Sequence, residues 1–154
     1  TALKARAFAS HVDFLSIGTN DLTQYALAAE RGNNTVAEIA DPFDPGLLSL
    51  IAAVCRGADQ HAPVVVCGEL AADEQASALL IGLGVRELSV APQAVPMTKQ
   101  TVRGLNHRDA AALAAAALHA DSPDAVRELL RHSPRSWRPK FTNAASPHVV
   151  DGPS

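Results

Sequence analysis

The chain has 154 residues, enough for one domain with its own hydrophobic core. Its net charge of -3 gives no electrostatic basis for nucleic-acid binding. It contains no apolar run of about 18 residues, which argues against a membrane-spanning helix. Two cysteines, Cys55 and Cys67, lack the spacing of a metal site and favour a reduced, cytoplasmic protein. Because Thr1 is not an initiator Met and no signal-peptide core follows it, we expect a piece of a longer chain.

The first part of the chain contains one predicted strand between helices. We predict the end of a helix at residues 1–10, a strand at residues 14–17 and a helix at residues 22–29. A loop at residues 31–44 then leads into a long helix at residues 45–60. The strand is a short apolar run that ends at Gly18. Asp44 followed by Pro45 is typical of a helix N-cap and first helical position. The apolar residues after Pro45 recur at helical spacing, so this helix should bury one face.

The second part contains two more strands, each followed by a helix. We predict a strand at residues 64–67, a helix at residues 73–84 and a strand at residues 86–90. Three helices follow at residues 95–103, 106–119 and 123–132, and then a tail at residues 133–154. The Val-Val-Val-Cys run at residues 64–67 is β-branched, which favours a strand buried on both faces. Asp73 is a predicted N-cap. Pro and polar residues dominate from Ser133, so we expect the tail to be disordered.

The strand–helix pattern occurs three times before the helical end of the chain. This order predicts a parallel α/β protein with right-handed crossovers. Three strands leave both edges of a sheet open, so further strands should come from missing sequence or from a partner. A polar turn follows each strand, at residues 18–21, 67–69 and 91–93. The carboxyl ends of parallel strands meet at one edge, so these turns should form one site.

The turn after the first strand carries groups that suit a cation and a phosphate. Thr19, Asn20 and Asp21 offer a hydroxyl, an amide and a carboxylate beside the N–H groups of a helix start. Taken alone, Asp21 is explained better as an N-cap than as a metal ligand. A cysteine ending a strand, such as Cys67, is usually a small core residue, and Cys55 on the apolar face of a helix is predicted to be structural.

Four motifs, taken together, resemble the phosphoenolpyruvate-utilising enzymes. They are Ser16-Ile-Gly-Thr-Asn-Asp-Leu-Thr-Gln-Tyr25, Arg31-Gly-Asn33, Cys67-Gly-Glu-Leu-Ala71, and Gly82-Leu-Gly84 leading to Glu87-Leu-Ser89. The resemblance covers about residues 12–130. Within the family, Arg-Gly-Asn after the first motif is most similar to the Enzyme I group, the phosphoenolpyruvate–protein phosphotransferases of the bacterial sugar phosphotransferase system. Pyruvate phosphate dikinase and phosphoenolpyruvate synthase are the nearest alternatives.

The resemblance implies a fold and an activity. Residues 1–132 would form the last three strand–helix units of a (β/α)₈ barrel that binds phosphoenolpyruvate at its carboxyl face. Phosphate would pass to a histidine on a separate phosphohistidine domain and then to the carrier protein HPr, leaving pyruvate. The domain would also mediate homodimerisation. The chain alone would be inactive or nearly so.

The resemblance also implies a role for each candidate residue. Asp21 would ligate Mg²⁺ against the substrate, and Asn20 would hold the phosphate. Arg31 would pair with phosphate oxygens and stabilise charge during transfer. Cys67 would be the general acid that protonates C3 of enolpyruvate, since a thiol with an ordinary pKa of about 8.5 is mostly protonated at neutral pH. The supporting residues would be Thr19 and Glu69.

Two other classes of function remain open from the sequence. The chain could be a non-catalytic module that serves in dimerisation or regulation. A nucleotide-binding Rossmann domain is a weaker alternative, because Gly18 is followed by Thr-Asn-Asp rather than by a glycine-rich loop, and no Walker lysine is present.

Overall fold

The computed structural model describes residues 2–29, 40–59 and 61–133. Three strands, β1 (Leu15–Gly18), β2 (Val64–Cys67) and β3 (Glu87–Ser89), form a sheet in the order β1-β2-β3. Both strand pairs are parallel, and Gly18 lies opposite Cys67, which in turn lies opposite Ser89. The α/β class and the parallel sheet are therefore confirmed.

Eight α-helices surround and follow the sheet in the described residues. They are α1 (Ala5–Ala9), α2 (Thr19–Ala26), α3 (Pro45–Ala58), α4 (Glu69–Ala72), α5 (Glu74–Gly82), α6 (Val95–Gly104), α7 (His107–Ala117) and α8 (Pro123–His132). None of these helices is both long enough and apolar enough to cross a membrane. The predicted loop around Arg31 and nearly all of the predicted tail lie outside the described residues.

Two predicted caps hold the helices that pack on the sheet. The Asp44 carboxylate accepts hydrogen bonds from the backbone N–H groups of Gly46 and Leu47, at 2.8 and 3.1 Å. Asp73 caps α5 in the same way, with its nearer contact at 2.8 Å. Each cap satisfies N–H groups that the first turn of a helix leaves without a partner, which fixes where α3 and α5 begin.

The start of α2 differs from the prediction. The helix begins at Thr19 rather than at Leu22, so the polar turn is its first turn, and Gly18 is the N-cap residue. Asp21 is therefore not an N-cap. Thr19 enters the helix because its hydroxyl donates to the carbonyl oxygen of Cys67 on β2, which holds the turn against the sheet. The earlier start places this polar turn directly above the end of β1.

The predicted first strand is shifted and only partly buried. It runs over Leu15–Gly18 rather than residues 14–17, and Phe14 is 56% exposed. Ile17 faces the helices and is buried, whereas Ser16 is exposed on the opposite face. Within the described residues, no second layer of structure covers the face of β1 that carries Ser16. Buried and exposed side chains therefore alternate along this strand.

The central strand is buried as predicted. Its three valines, Val64, Val65 and Val66, are all buried, and the core continues into α3 and α5. Helix α1 packs on α3 through Ala5 and Ala9. The large apolar side chains of this segment, Leu3 and Phe8, are exposed. Small residues let α1 approach α3 closely, which leaves the large side chains pointing outward.

Candidate functional site

Two of the polar turns meet at the carboxyl edge of the sheet. β1 leads through Gly18 into α2, and β2 leads through Gly68 into α4. Because Gly18 and Cys67 are register partners, the first turns of α2 and α4 lie side by side. The structure therefore brings together five of the six predicted site residues, namely Thr19, Asn20, Asp21, Cys67 and Glu69. Arg31, the sixth, lies outside the described residues.

Thr19 is the buried anchor of this edge. It is 1% exposed, and its hydroxyl donates to the carbonyl oxygen of Cys67 at 3.0 Å. Its own carbonyl oxygen accepts from the hydroxyl of Thr23 at 2.8 Å. Thr19 thus joins α2 to the end of β2, which suits the supporting role predicted for it.

Asn20 connects the two turns through its side chain. Its Oδ1 atom accepts a hydrogen bond from the backbone N–H of Glu69 at 3.3 Å. The side-chain NH₂ group has no hydrogen-bond partner among the described residues. The NH₂ group of Asn20 is a donor available to the site, and a donor suits an anionic group such as phosphate.

Gly68 makes this close approach possible. Its φ of 101° lies in a region that residues with a side chain rarely adopt. A Cβ atom here would lie 2.7 Å from the Thr19 hydroxyl oxygen and 3.0 Å from Asn20 Oδ1. Both the backbone conformation and the space around it require glycine between Cys67 and Glu69.

Cys67 lies half-buried at the end of β2, with its sulfur on the open face of the sheet. Its Sγ is 3.6 Å from the carbonyl oxygen of Ile17 and 3.9 Å from the hydroxyl oxygen of Ser16. Cys55 differs from it, as predicted, because it is buried in the core. Burial raises the pKa of Cys55 to about 11, so that thiol stays protonated and serves packing.

Ser16 is the site residue that sequence reasoning missed. It belongs to the first motif but was given no role. The signal was available, since side chains two residues apart on a strand share a face and Gly18 leads directly into the site. The parallel register was needed to show that this face also carries Cys67.

Asp21 lines a cavity along the open edge of β1. The cavity has a volume of about 460 Å³, and its lining includes Ser16, Gly18, Leu22 and Tyr25. Asp21 and Glu69 are both exposed. Within the described part of the chain, no three His, Cys, Asp or Glu side chains come together in a way that could hold a metal ion. The chemistry of Asp21 fits a hard cation such as Mg²⁺, but only as one of several ligands.

Known proteins resemble the chain over most of its length. The family described as "PEP-utilising enzyme, PEP-binding domain" matches residues 1–107. Phosphoenolpyruvate-protein phosphotransferases from Haloferax volcanii and Haemophilus influenzae are 45% and 41% identical to it over 130 residues, 84% of the chain. A multiphosphoryl transfer protein of Xanthomonas campestris is 44% identical over 83% of the chain. The chain spans 23% of the length of the first two relatives and 15% of the third.

Proposed function

Because this chain belongs to the phosphoenolpyruvate-binding domain family of the phosphoenolpyruvate-utilising enzymes, we propose that it supplies part of the active site of a phosphoenolpyruvate–protein phosphotransferase. The parent enzyme would transfer phosphate from phosphoenolpyruvate to a histidine on a separate domain and then to HPr, in the cytoplasm, for sugar uptake. The observation that carries the proposal is the meeting of the Thr19–Asp21 turn with Cys67 at one edge of the sheet. The names of the Haloferax volcanii and Haemophilus influenzae relatives favour this enzyme over pyruvate phosphate dikinase and phosphoenolpyruvate synthase.

The three strand–helix units would be the last three of a (β/α)₈ barrel. Their parallel order supports this, as does the open face of β1 and β3, which carries Ser16, Glu87 and Ser89 and would point into the barrel. The other strands would come from the remainder of the parent protein, since the matched region is 23% of the length of the first two relatives. A homodimer formed through this domain belongs to the same proposal.

The phosphate would bind at the first turn of α2. The NH₂ group of Asn20 and the backbone N–H groups at the start of α2, none of them paired within the described residues, are hydrogen-bond donors, and donors at a helix start favour an anion. Arg31 would add a charged partner for the phosphate oxygens. Fixed donors of this kind stabilise charge without having to reorganise during the reaction, which is the main requirement of phosphoryl transfer.

Asp21 would provide one oxygen ligand to Mg²⁺. The remaining ligands would come from the substrate and from other strands of the parent enzyme. When bound, the ion would neutralise the charge of the phosphate and carboxylate groups of phosphoenolpyruvate. Asp21 is suited to this part because it is exposed at the mouth of the cavity beside β1.

Cys67 would complete the reaction by proton transfer. Departure of the phosphoryl group leaves the enolate of pyruvate. The S–H bond of Cys67 would break as a new C–H bond forms at C3, giving the methyl group of pyruvate and leaving a thiolate. Thr19 would support this step by fixing the backbone of Cys67, and Glu69 by fixing Asn20.

Calorimetry with phosphoenolpyruvate, with and without Mg²⁺, tests this proposal on the 154-residue chain. We expect weak, Mg²⁺-dependent binding that Asp21→Asn abolishes and that Asp109→Asn, an exposed carboxylate on α7, leaves unchanged. No binding under either condition would favour a non-catalytic dimerisation or regulatory module. In a parallel assay with HPr, we expect no substantial pyruvate, and release of pyruvate that depends on Cys67 would contradict the expected incompleteness of the chain.

A further inference from the structure

We propose that Ser16 is a positioning residue for Cys67, donating a hydrogen bond to its sulfur as the thiol gives up its proton. The proposal rests on the general-acid role proposed for Cys67. It adds a residue on β1 to a step that otherwise involves only the end of β2.

The sheet places the two side chains on one face. Ser16 pairs with Val65 and Gly18 with Cys67, and residues two apart on a strand point the same way. Ser16 and Cys67 are therefore diagonal neighbours across the β1–β2 pair. Their Oγ and Sγ atoms lie 3.9 Å apart, a separation that suits a hydrogen bond to sulfur. Gly18 has no side chain to come between them.

The direction of this hydrogen bond follows from the number of protons available. A thiol has one proton, and the geometry directs that of Cys67 to the carbonyl oxygen of Ile17, at 3.6 Å. The sulfur can then only accept from Ser16. The Ser16 hydroxyl has no other hydrogen-bond partner among the described residues, so its proton is available for the sulfur.

The hydrogen bond matters most after the proton has left. As the S–H bond breaks and the C3–H bond forms, the sulfur takes the negative charge, and a hydrogen bond to a charged acceptor is stronger than one to a neutral acceptor. Ser16 keeps its own proton throughout, and solvent later restores the thiol. The charged side chains on the adjoining described strands and helices are the exposed carboxylates Asp21, Glu69 and Glu87. Ser16 supplies a neutral donor among them.

Alkylation of Cys67 by iodoacetamide, followed across pH by peptide mass spectrometry, tests the proposal on the 154-residue chain. We expect Ser16→Ala to slow alkylation at neutral pH by about three- to tenfold and to move the rate profile toward higher pH. Ser16→Thr retains the hydroxyl and should restore most of the rate. Buried Cys55 reports on folding in the same spectrum, because it should stay unmodified in each folded variant.

Ser89→Ala is the matched control. Ser89 is the register partner of Cys67 on β3, and no hydrogen bond joins it to the sulfur in the described structure, so its loss should leave the rate unchanged. Equal rates for wild type and Ser16→Ala would overturn the proposal, as would an equal loss in Ser89→Ala. The alkylation assay contains no phosphoenolpyruvate. A result against the role of Ser16 can therefore be told apart from the absence of phosphoenolpyruvate binding, which would count against the proposed function.

Discussion

Gly68 is the residue on which the geometry of the candidate site depends most directly. It allows the chain to turn from β2 into α4 while Thr19 and Asn20 approach its α-carbon. The sequence indicates a turn at Cys67-Gly-Glu69, but it gives neither the φ of 101° nor the contacts to α2. Those contacts join positions almost 50 residues apart in the chain, so local patterning could not reveal them.

Gly68→Ala should destabilise the chain by about 2 kcal/mol or more, because a side chain is strained at this φ and meets two polar atoms. Urea denaturation measures the loss. Gly84→Ala is a matched control with a φ of 105° outside the site, where the nearest atom is Cys55 Cβ at 3.1 Å. Both variants should lose stability, but only Gly68→Ala should change the alkylation rate of Cys67. An unchanged rate would contradict the role given to Gly68.

Cys55 should make stability depend on pH in the alkaline range. Burial raises its pKa in the folded chain from 9.0 to about 11, so between these values the thiol ionises only after unfolding. Stability should therefore be complete below about pH 9 and fall by roughly 2 kcal/mol as pH rises to about 11. The Cys55→Ala variant should have a lower free energy of unfolding below about pH 9, but its free energy of unfolding should fall less as the pH rises to about 11. Parallel curves of unfolding free energy against pH would contradict this account.

At the scale of elements, the sequence predicted the types of the helices and strands better than it predicted where they begin and end. β2 was predicted at its observed bounds, and Asp44 and Asp73 cap the predicted helices, because these signals are local. The start of α2 was wrong by three residues, since the bond from Thr19 to β2 decides it. The short helix α4 was predicted only as a turn, and its position depends on packing beside α2.

The crossing of α5 and α7 provides a test at this scale. Gly82 ends α5 where that helix meets α7, and a Cβ atom at Gly82 would lie 2.1 Å from the carbonyl oxygen of Ala110. Helix propensity alone predicts that Gly82→Ala gains up to about 1 kcal/mol. The close contact predicts instead a loss of about 1–3 kcal/mol, because the backbone of α7 must move. Thermal unfolding of the Gly82→Ala variant decides between these two predictions. A stabilised variant would show that α5 and α7 can move apart at little cost in free energy.

At the scale of the whole molecule, α8 is tied to the segment before α3. Arg127 donates two hydrogen bonds to the Asp41 carboxylate, at 2.5 and 2.9 Å. Its guanidinium also lies 4.9 Å from the centre of the Phe43 ring. The hydrogen bonds to Asp41 raise the pKa of Arg127 further, which keeps it charged. This contact joins parts of the chain 86 residues apart.

A double-mutant cycle on Arg127→Ala and Asp41→Ala should give a coupling energy of about 1 kcal/mol, since the pair is bidentate and partly buried. The pair of Arg131 and Glu128 is the control, because both lie exposed on α8 within one turn of each other. Its coupling should be smaller, because solvent screens both exposed charges. Equal coupling energies in the two cycles would mean that the Arg127 contact adds nothing beyond a surface ion pair.

The most direct test of the proposed function replaces the matching region of the Haemophilus influenzae relative with this chain. The hybrid would supply the rest of the active site, and pyruvate formation from phosphoenolpyruvate, Mg²⁺ and HPr would be measured. We predict pyruvate formation by the hybrid and a loss of about 100-fold or more with Cys67→Ala. A folded hybrid that forms no pyruvate, or one that forms it equally fast with Cys67→Ala, would contradict the account.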